Sequence, residues 1–158
     1  MAVGAEIERK FLVADIAAAV ERSTGSEPIA QAYVAIDPHG VEVRARRRGD
    51  TTVLTVKRGA GLRREEVEFG IAETEFERLW ELAAERRIDK RRHYVREGGR
   101  TIELDVYGGE LEGLAVAEVE FESEAAAEAW VPPAWLGREL TGDERYSNAA
   151  LARDGLPG

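Results

Sequence analysis

The clearest strand pattern in the chain is Glu6-Ile7-Glu8-Arg9-Lys10-Phe11-Leu12-Val13. Side chains on a β-strand point alternately to opposite faces, so Glu6, Glu8 and Lys10 share one face of this segment. The apolar side chains between them share the other face. The segment therefore predicts a strand that is charged on one side and apolar on the other.

The same alternation recurs along most of the chain. Strand-like runs are found at 6–13, 30–37, 40–48, 51–58, 64–71, 91–97, 100–107 and 115–122. Short turn signals such as Gly49-Asp50 and Gly98-Gly99 join several of them, and such turns favour hairpins and antiparallel pairing. The sequence therefore predicts about eight antiparallel strands.

The charged side of these strands carries both signs of charge. A solvated face explains such a pattern on any single strand. Eight strands must close or stack, however, and helices with apolar stripes would cover their apolar sides. We therefore expect an α+β fold, a closed eight-stranded antiparallel β-barrel or tunnel with helices packed on the outside. The charged positions are Glu6, Glu8, Lys10, Arg44, Arg46, Lys57, Glu66, Glu68, Lys90, Arg92, Glu103, Asp105, Glu118 and Glu120.

Helical patterns separate or follow the strands. They are predicted at 15–22, 73–87, 122–131 and 143–153, and the second has Phe76, Leu79, Trp80 and Ala83 along one stripe. No linker or repeat interrupts the sequence. The interpretation is a single domain over residues 1–158.

Composition narrows the classes of function. The chain has 158 residues, no cysteine and a formal net charge of −9. Lack of cysteine excludes a thiol nucleophile and a Cys-ligated zinc site. The negative charge argues against nucleic-acid and membrane binding, and no apolar run approaches about 20 residues. We expect a soluble, cytoplasmic protein, and the sequence leaves open whether it forms a homodimer.

A barrel interior with both signs of charge needs an ionic ligand, because unpaired buried charges are costly. Arginine and lysine suit phosphate oxygens. Clustered glutamate and aspartate suit Mg²⁺ or Mn²⁺, which are hard cations that bind oxygen. A complex of a divalent metal with a small-molecule triphosphate satisfies both sets of side chains.

The segment Glu6-Ile7-Glu8-Arg9-Lys10 resembles the N-terminal Glu-x-Glu-x-Lys signature of the CYTH proteins, or triphosphate tunnel metalloenzymes. Further segments match in order over essentially the whole chain, and the C-terminal part is similar to the short bacterial inorganic tripolyphosphatase-like branch. These segments are Gln31-Ala32-Tyr33, Val43-Arg44-Ala45-Arg46, Leu54-Thr55-Val56-Lys57, Arg64 with Glu66 and Glu68, Lys90-Arg91-Arg92, Glu103-Leu104-Asp105-Val106, Val116-Ala117-Glu118-Val119-Glu120-Phe121, Trp135-Leu136-Gly137, Leu140-Thr141 and Arg145-Tyr146-Ser147-Asn148.

The resemblance implies roles for individual residues. A Lys10–Tyr33 dyad would activate water, although tyrosine at its ordinary pKa of about 10 needs a neighbouring cation to ionise. The implied metal ligands are Glu6, Glu8, Asp105, Glu118 and Glu120. The implied triphosphate-binding cations are Lys10, Arg44, Arg46, Lys57 and Arg92, with Arg64 and Lys90 in support.

The expected function is metal-dependent hydrolysis of inorganic tripolyphosphate to pyrophosphate and phosphate. Within the same family, the alternatives are a nucleoside or thiamine triphosphatase, an enzyme similar to the class IV adenylyl cyclases, and a polyphosphate-binding module without turnover. Outside the family, the alternative is a β-barrel interaction domain whose charged face is simply solvated.

Overall fold

The structure is a computed structural model, and it describes residues 7–58 and 65–158. The predicted site residues Glu6 and Arg64 lie outside these ranges. Within them the strands form one antiparallel sheet in the order β1-β8-β7-β6-β2-β3-β4-β5. Their bounds are β1 Ile7–Leu12, β2 Gly25–Ile36, β3 Val41–Arg48, β4 Thr51–Arg58, β5 Glu65–Gly70, β6 Arg87–Glu97, β7 Arg100–Tyr107 and β8 Ala115–Phe121.

In the described residues, four α-helices accompany the sheet. They are α1 Ile16–Glu21, α2 Glu73–Ala83, α3 Glu124–Ala129 and α4 Asn148–Asp154, with short 3-10 helices at Gly109–Leu111 and Glu144–Tyr146. The hydroxyls of Ser123 and Ser147 accept hydrogen bonds from backbone N–H groups and cap α3 and α4. In the described parts of the chain, no helix is long and apolar enough to cross a membrane.

The segment between α2 and β6 differs from the sequence prediction. Helix α2 ends at Ala83, because Ala84 adopts φ 54°, a backbone conformation that does not continue a helix. Strand β6 begins at Arg87, which pairs with Ala32 of β2. Pairing with a distant strand therefore converts residues predicted to be helical or unassigned into strand.

The apolar face of the sheet is covered by helices, as predicted. Phe76 and Ala83 of α2 pack on Ala32 and Ala45 of β2 and β3. A separate core cluster under α1 and α3 includes the buried strand residues Phe11, Val95, Leu104 and Val119. Burial of these side chains holds α1, α2 and α3 on one side of the sheet.

The opposite side, called the charged face below, carries Glu8, Lys10, Arg44, Arg46, Lys57, Lys90, Arg92, Glu103, Asp105, Glu118 and Glu120 by strand register. One end of it is filled by apolar side chains, where Tyr33, Ile88 and Tyr107 pack with Leu140 and Leu151 from the C-terminal part of the chain. We call this the closed end. The other end of the strands is the open end.

The prediction of a closed barrel was wrong. Strands β1 and β5 are the two edges of the sheet, and no hydrogen-bonded pairing between them occurs in residues 7–58 and 65–158. The edge of β1 that does not pair with β8 is occupied by the C-terminal part of the chain, because the backbone groups of Lys10 and Leu12 form hydrogen bonds with residues 137–141. Leu140 N–H donates to Lys10 O at 2.7 Å, and Leu12 N–H donates to Arg138 O at 2.8 Å. The C-terminal segment therefore takes the place that β5 would need.

Gly137 lies where this segment crosses β1 most closely. A Cβ atom built there would be 2.7 Å from the backbone oxygen of Leu12. We predict that Gly137→Ala lowers the free energy of unfolding by about 1–3 kcal/mol, because backbone on both sides must move. Gly25→Ala is the control, since a Cβ at Gly25 meets nothing within 4 Å. Urea denaturation of both variants measures the difference, and equal stability would contradict this packing.

Candidate functional site

Carboxylates on three adjacent strands, β1, β8 and β7, form one side of the charged face. Glu8 lies opposite Glu120, while Glu118 lies opposite Lys10 on one neighbour and Glu103 on the other. A cavity of about 340 Å³ opens beside them, and it is lined by Glu103, Glu118, Glu120, Arg96, Gly99, Arg100 and Thr101. This cavity lies toward the open end of the face.

Glu103 belongs to this group, although the sequence prediction did not include it among the site residues. Burial raises its pKa, and the neighbouring carboxylates of Asp105, Glu118 and Glu120 raise it further, while Arg92 lowers it. The sequence signal that could have identified Glu103 as a site residue was its position two residues before Asp105, on the same face of β7. A bound cation would relieve this crowding of negative charge.

The donor chemistry of this group fits a hard divalent metal, because every candidate ligand is a carboxylate oxygen. Within residues 7–58 and 65–158, no three acidic or histidine side chains already lie close enough together to hold an ion. By register, Glu8 lies opposite Glu120, and Glu118 is two residues before Glu120 on the same face of β8. Glu6 is outside the described residues.

Asp105 lies between the carboxylates and the cations, and both of its oxygens are engaged. Lys90 Nζ donates to Oδ2 at 2.8 Å, and Arg92 donates to both oxygens at 2.8 and 3.0 Å. Burial raises the pKa of Asp105, but Lys90 and Arg92 lower it by a larger amount. The pKa of Asp105 is therefore below its ordinary value. In this structure Asp105 orients Lys90 and Arg92.

Lys90 and Arg92 differ in their surroundings. The Lys90 side chain is only 1% exposed, and burial lowers its pKa despite the ion pair with Asp105. Arg92 also contacts Glu103 at 2.7 Å. Burial lowers the pKa of Arg92, but its carboxylate partners raise it by more, and the net direction is above the ordinary value. Asn148 at the start of α4 accepts from Lys90 Nζ at 3.4 Å and from the Tyr107 hydroxyl at 2.7 Å. No sequence pattern indicated this contact, because it depends on where the C-terminal helix docks.

The arginines of β3 form the second side of the charged face. The Nε atoms of Arg44 and Arg46 are buried and have no hydrogen-bond partner among the described residues. Burial lowers the pKa of Arg46, and the like charges of Arg44, Arg48 and Arg92 lower it further. The negative charge of Glu68 acts in the opposite direction and raises this pKa. Lys57 follows on β4 and pairs with Glu66 at 3.8 Å. Buried donors without acceptors are costly, so this cluster is suited to receive an anion.

The predicted dyad residues lie toward the closed end. Lys10 Nζ pairs with Glu118 at 3.4 Å and donates to the backbone oxygen of Tyr146 at 3.4 Å. Tyr33 is 1% exposed and accepts a hydrogen bond from Gln31 at 3.4 Å. Burial raises the pKa of Tyr33 to about 12, although Arg44 and Arg46 act in the opposite direction. No hydrogen bond joins Lys10 to Tyr33 in the described part of the chain.

Three further side chains at the open end were not predicted as site residues. Glu27, Arg48 and Tyr94 contact one another on β2, β3 and β6. They reach this position through register, since Glu27 lies opposite Arg92 and Tyr94 lies opposite Glu103. The signals in the sequence were the continuation of the Arg44 and Arg46 alternation by Arg48 and the alignment of Tyr94 with Lys90 and Arg92.

The chain is similar to known proteins in both sequence and fold. The model of the CYTH domain matches residues 4–153. A protein of Nitrosomonas europaea named inorganic triphosphatase is 43% identical over 148 residues, which cover 93% of this chain and 96% of the relative. A protein of Acetivibrio thermocellus with the same name is 36% identical over 154 residues, covering 96% of each.

A crystal structure of an inorganic triphosphatase has the same arrangement. It aligns with a TM-score of 0.78 and 40% sequence identity, and the alignment covers 97% of each chain. The family match spans most of the chain, and both relatives exceed 30% identity over nearly their full length. This chain belongs to the CYTH domain family.

Proposed function

We propose that this chain is a metal-dependent hydrolase that binds inorganic triphosphate on the charged face and cleaves it to pyrophosphate and phosphate. The observation that carries the proposal is the pair of buried, unpartnered Nε atoms of Arg44 and Arg46, on a face that also holds clustered carboxylates. The names of the two relatives, at 43% and 36% identity, support the same activity.

In this proposal, the cations hold the phosphate oxygens. Arg44 and Arg46 would donate from the β3 side, and Arg92 and Lys90 from the β6 side, where Asp105 fixes their directions. Lys57, and Arg64 outside the described residues, would add positive charge at the β4 side. Phosphoryl transfer asks the protein chiefly for such positioning and charge neutralisation.

Glu8, Glu118 and Glu120 are the proposed metal ligands, with Glu6 and Asp105 as predicted additions. When bound, Mg²⁺ or Mn²⁺ would neutralise charge on the phosphate oxygens and help to orient them. Asp105 would have to exchange one of its contacts with Lys90 or Arg92 to become a ligand.

The bond changes are those of an in-line displacement. Water attacks a terminal phosphorus, a new P–O bond forms, the bridging P–O bond breaks, and pyrophosphate leaves. Lys10 and Tyr33 are the proposed route for the proton released by the water. Since burial raises the pKa of Tyr33 to about 12, we infer that its hydroxyl stays protonated at neutral pH in the empty protein, where Gln31 donates a hydrogen bond to it.

Purified protein is expected to release phosphate from tripolyphosphate in the presence of Mg²⁺ or Mn²⁺ and to stop when a chelator removes the metal. ATP and thiamine triphosphate are expected to react more slowly, because the cavity on the charged face is lined mainly by charged side chains and not by apolar ones that would bind a base. The measurement is phosphate release from the three substrates, with Lys10→Ala and Tyr33→Phe in parallel. Release that persists without divalent metal, or that favours ATP, would contradict the proposal.

The homodimer and the cytoplasmic location stay predictions.

A further inference from the structure

Glu27, Arg48 and Tyr94 form a hydrogen-bonded cluster at the open end of the charged face. Arg48 donates to the Tyr94 oxygen at 2.7 Å and pairs with Glu27 at 3.1 Å, and the Tyr94 hydroxyl donates to Glu27. The Glu27 side chain is 28% exposed and that of Arg48 is 40% exposed. The cluster therefore lies at the solvent boundary of the face.

Glu27 is an anion placed among arginines. Hydrogen bonds from Arg48 and Tyr94 lower its pKa, and the charges of Arg48 and Arg92 lower it further. Its carboxylate is therefore ionised at neutral pH. Arg48 is satisfied by Glu27, whereas the Nε atoms of Arg44 and Arg46 have no partner among the described residues. The cation cluster thus has unpartnered Nε atoms inside, and Glu27 is a carboxylate at its outer boundary.

An anion on the charged face can extend only away from the closed end. Tyr33, Ile88, Tyr107 and Leu151 are packed together there and exclude a further charged group. A phosphate chain that lies on Arg44 and Arg46 can be extended toward the open end, where the next phosphate meets Glu27. Two negative groups at that point repel each other, and the site is only partly screened by water.

We propose that Glu27, held in place by Arg48 and Tyr94, limits the phosphate chain that the charged face accepts to three phosphates. This inference rests on the proposed function, since it concerns the substrate range of the same site. In this proposal Glu27 determines which length of phosphate chain is accepted, and it is not a metal ligand. The carboxylate acts by repulsion of a longer anion rather than by attraction of the correct one.

The test compares tetrapolyphosphate with tripolyphosphate as substrates. For Glu27→Gln and Glu27→Thr, we expect the ratio of kcat/KM for tetrapolyphosphate over tripolyphosphate to rise at least about tenfold above wild type. Glu27→Asp keeps the charge and is expected to keep the ratio close to that of wild type. Two neutral replacements are used so that a folded protein is obtained from at least one.

The matched control is Glu73→Gln. Glu73 pairs with Arg47, the residue next to Arg48, but that pair lies on the opposite side of β3 beneath α2. The ratio is expected to stay at the wild-type value in this variant. A rise of equal size in Glu73→Gln would overturn the inference, because it would not depend on the open end.

The failures of the two proposals are distinguishable. If folded Glu27→Gln or Glu27→Thr hydrolyses tripolyphosphate but leaves the ratio unchanged, the inference about chain length is wrong and the proposed function stands. If wild-type protein with Mg²⁺ or Mn²⁺ releases no phosphate from tripolyphosphate, the proposed function is wrong, and the inference fails with it.

Discussion

Replacement of Arg46 by glutamine is expected to leave the empty protein at least as stable as wild type while lowering kcat/KM for tripolyphosphate about a hundredfold. Arg46 is largely buried among like charges, and burial together with Arg44 lowers its pKa. Its charge is therefore unfavourable until an anion binds. A hundredfold loss corresponds to about 2.7 kcal/mol, within the range of hydrogen bonds to charged groups.

Arg47→Gln is the control for this prediction. Arg47 is the next residue of β3, but it points to the opposite side, where it pairs with Glu73 and lies over the Phe76 ring. Its loss is expected to lower the free energy of unfolding slightly and to leave kcat/KM unchanged. Urea denaturation and steady-state kinetics on both variants give the comparison. A clear loss of stability in Arg46→Gln with normal kinetics would show that Arg46 is a structural residue.

Replacement of Glu118 by glutamine is expected to have the second large effect. Glu118 is the central carboxylate of the group, since it lies opposite both Lys10 and Glu103. Loss of its charge should raise the Mg²⁺ concentration for half-maximal rate at least about tenfold and lower the maximal rate, because a metal ligand is removed.

Glu122→Gln separates this effect from a general change of charge. Glu122 follows the same alternation beyond the end of β8, but its side chain is 69% exposed and pairs with Arg100. The Mg²⁺ dependence of phosphate release by Glu122→Gln is expected to match that of wild type. Magnesium titration of phosphate release measures both variants, and an unchanged Mg²⁺ dependence in Glu118→Gln would remove Glu118 from the proposed ligands.

The charged face could be predicted from the sequence because alternation within a strand is a local property. The positions of Arg44, Arg46, Arg92 and Glu118 on one face follow from strand parity alone, and the register agrees. The family was also predicted correctly, because the signature segments are continuous stretches of sequence.

What the sequence did not predict depends on contacts between distant residues. Leu140 N–H occupies the free edge of β1 at Lys10, and no local pattern indicates that a loop more than a hundred residues later would do so. The closed barrel was predicted wrongly for this reason. Asn148 and Glu27 reach the charged face through helix docking and strand register, which are likewise set by the assembled fold.

The most direct test of the account is the binding of tripolyphosphate, measured by titration calorimetry without divalent metal so that turnover does not interfere. Wild type and Arg47→Gln are expected to bind with similar affinity, whereas Arg44→Gln combined with Arg46→Gln is expected to show no measurable binding. This result would place the triphosphate on the charged face. Equal binding by the double variant and wild type would contradict the central claim that Arg44 and Arg46 hold the substrate.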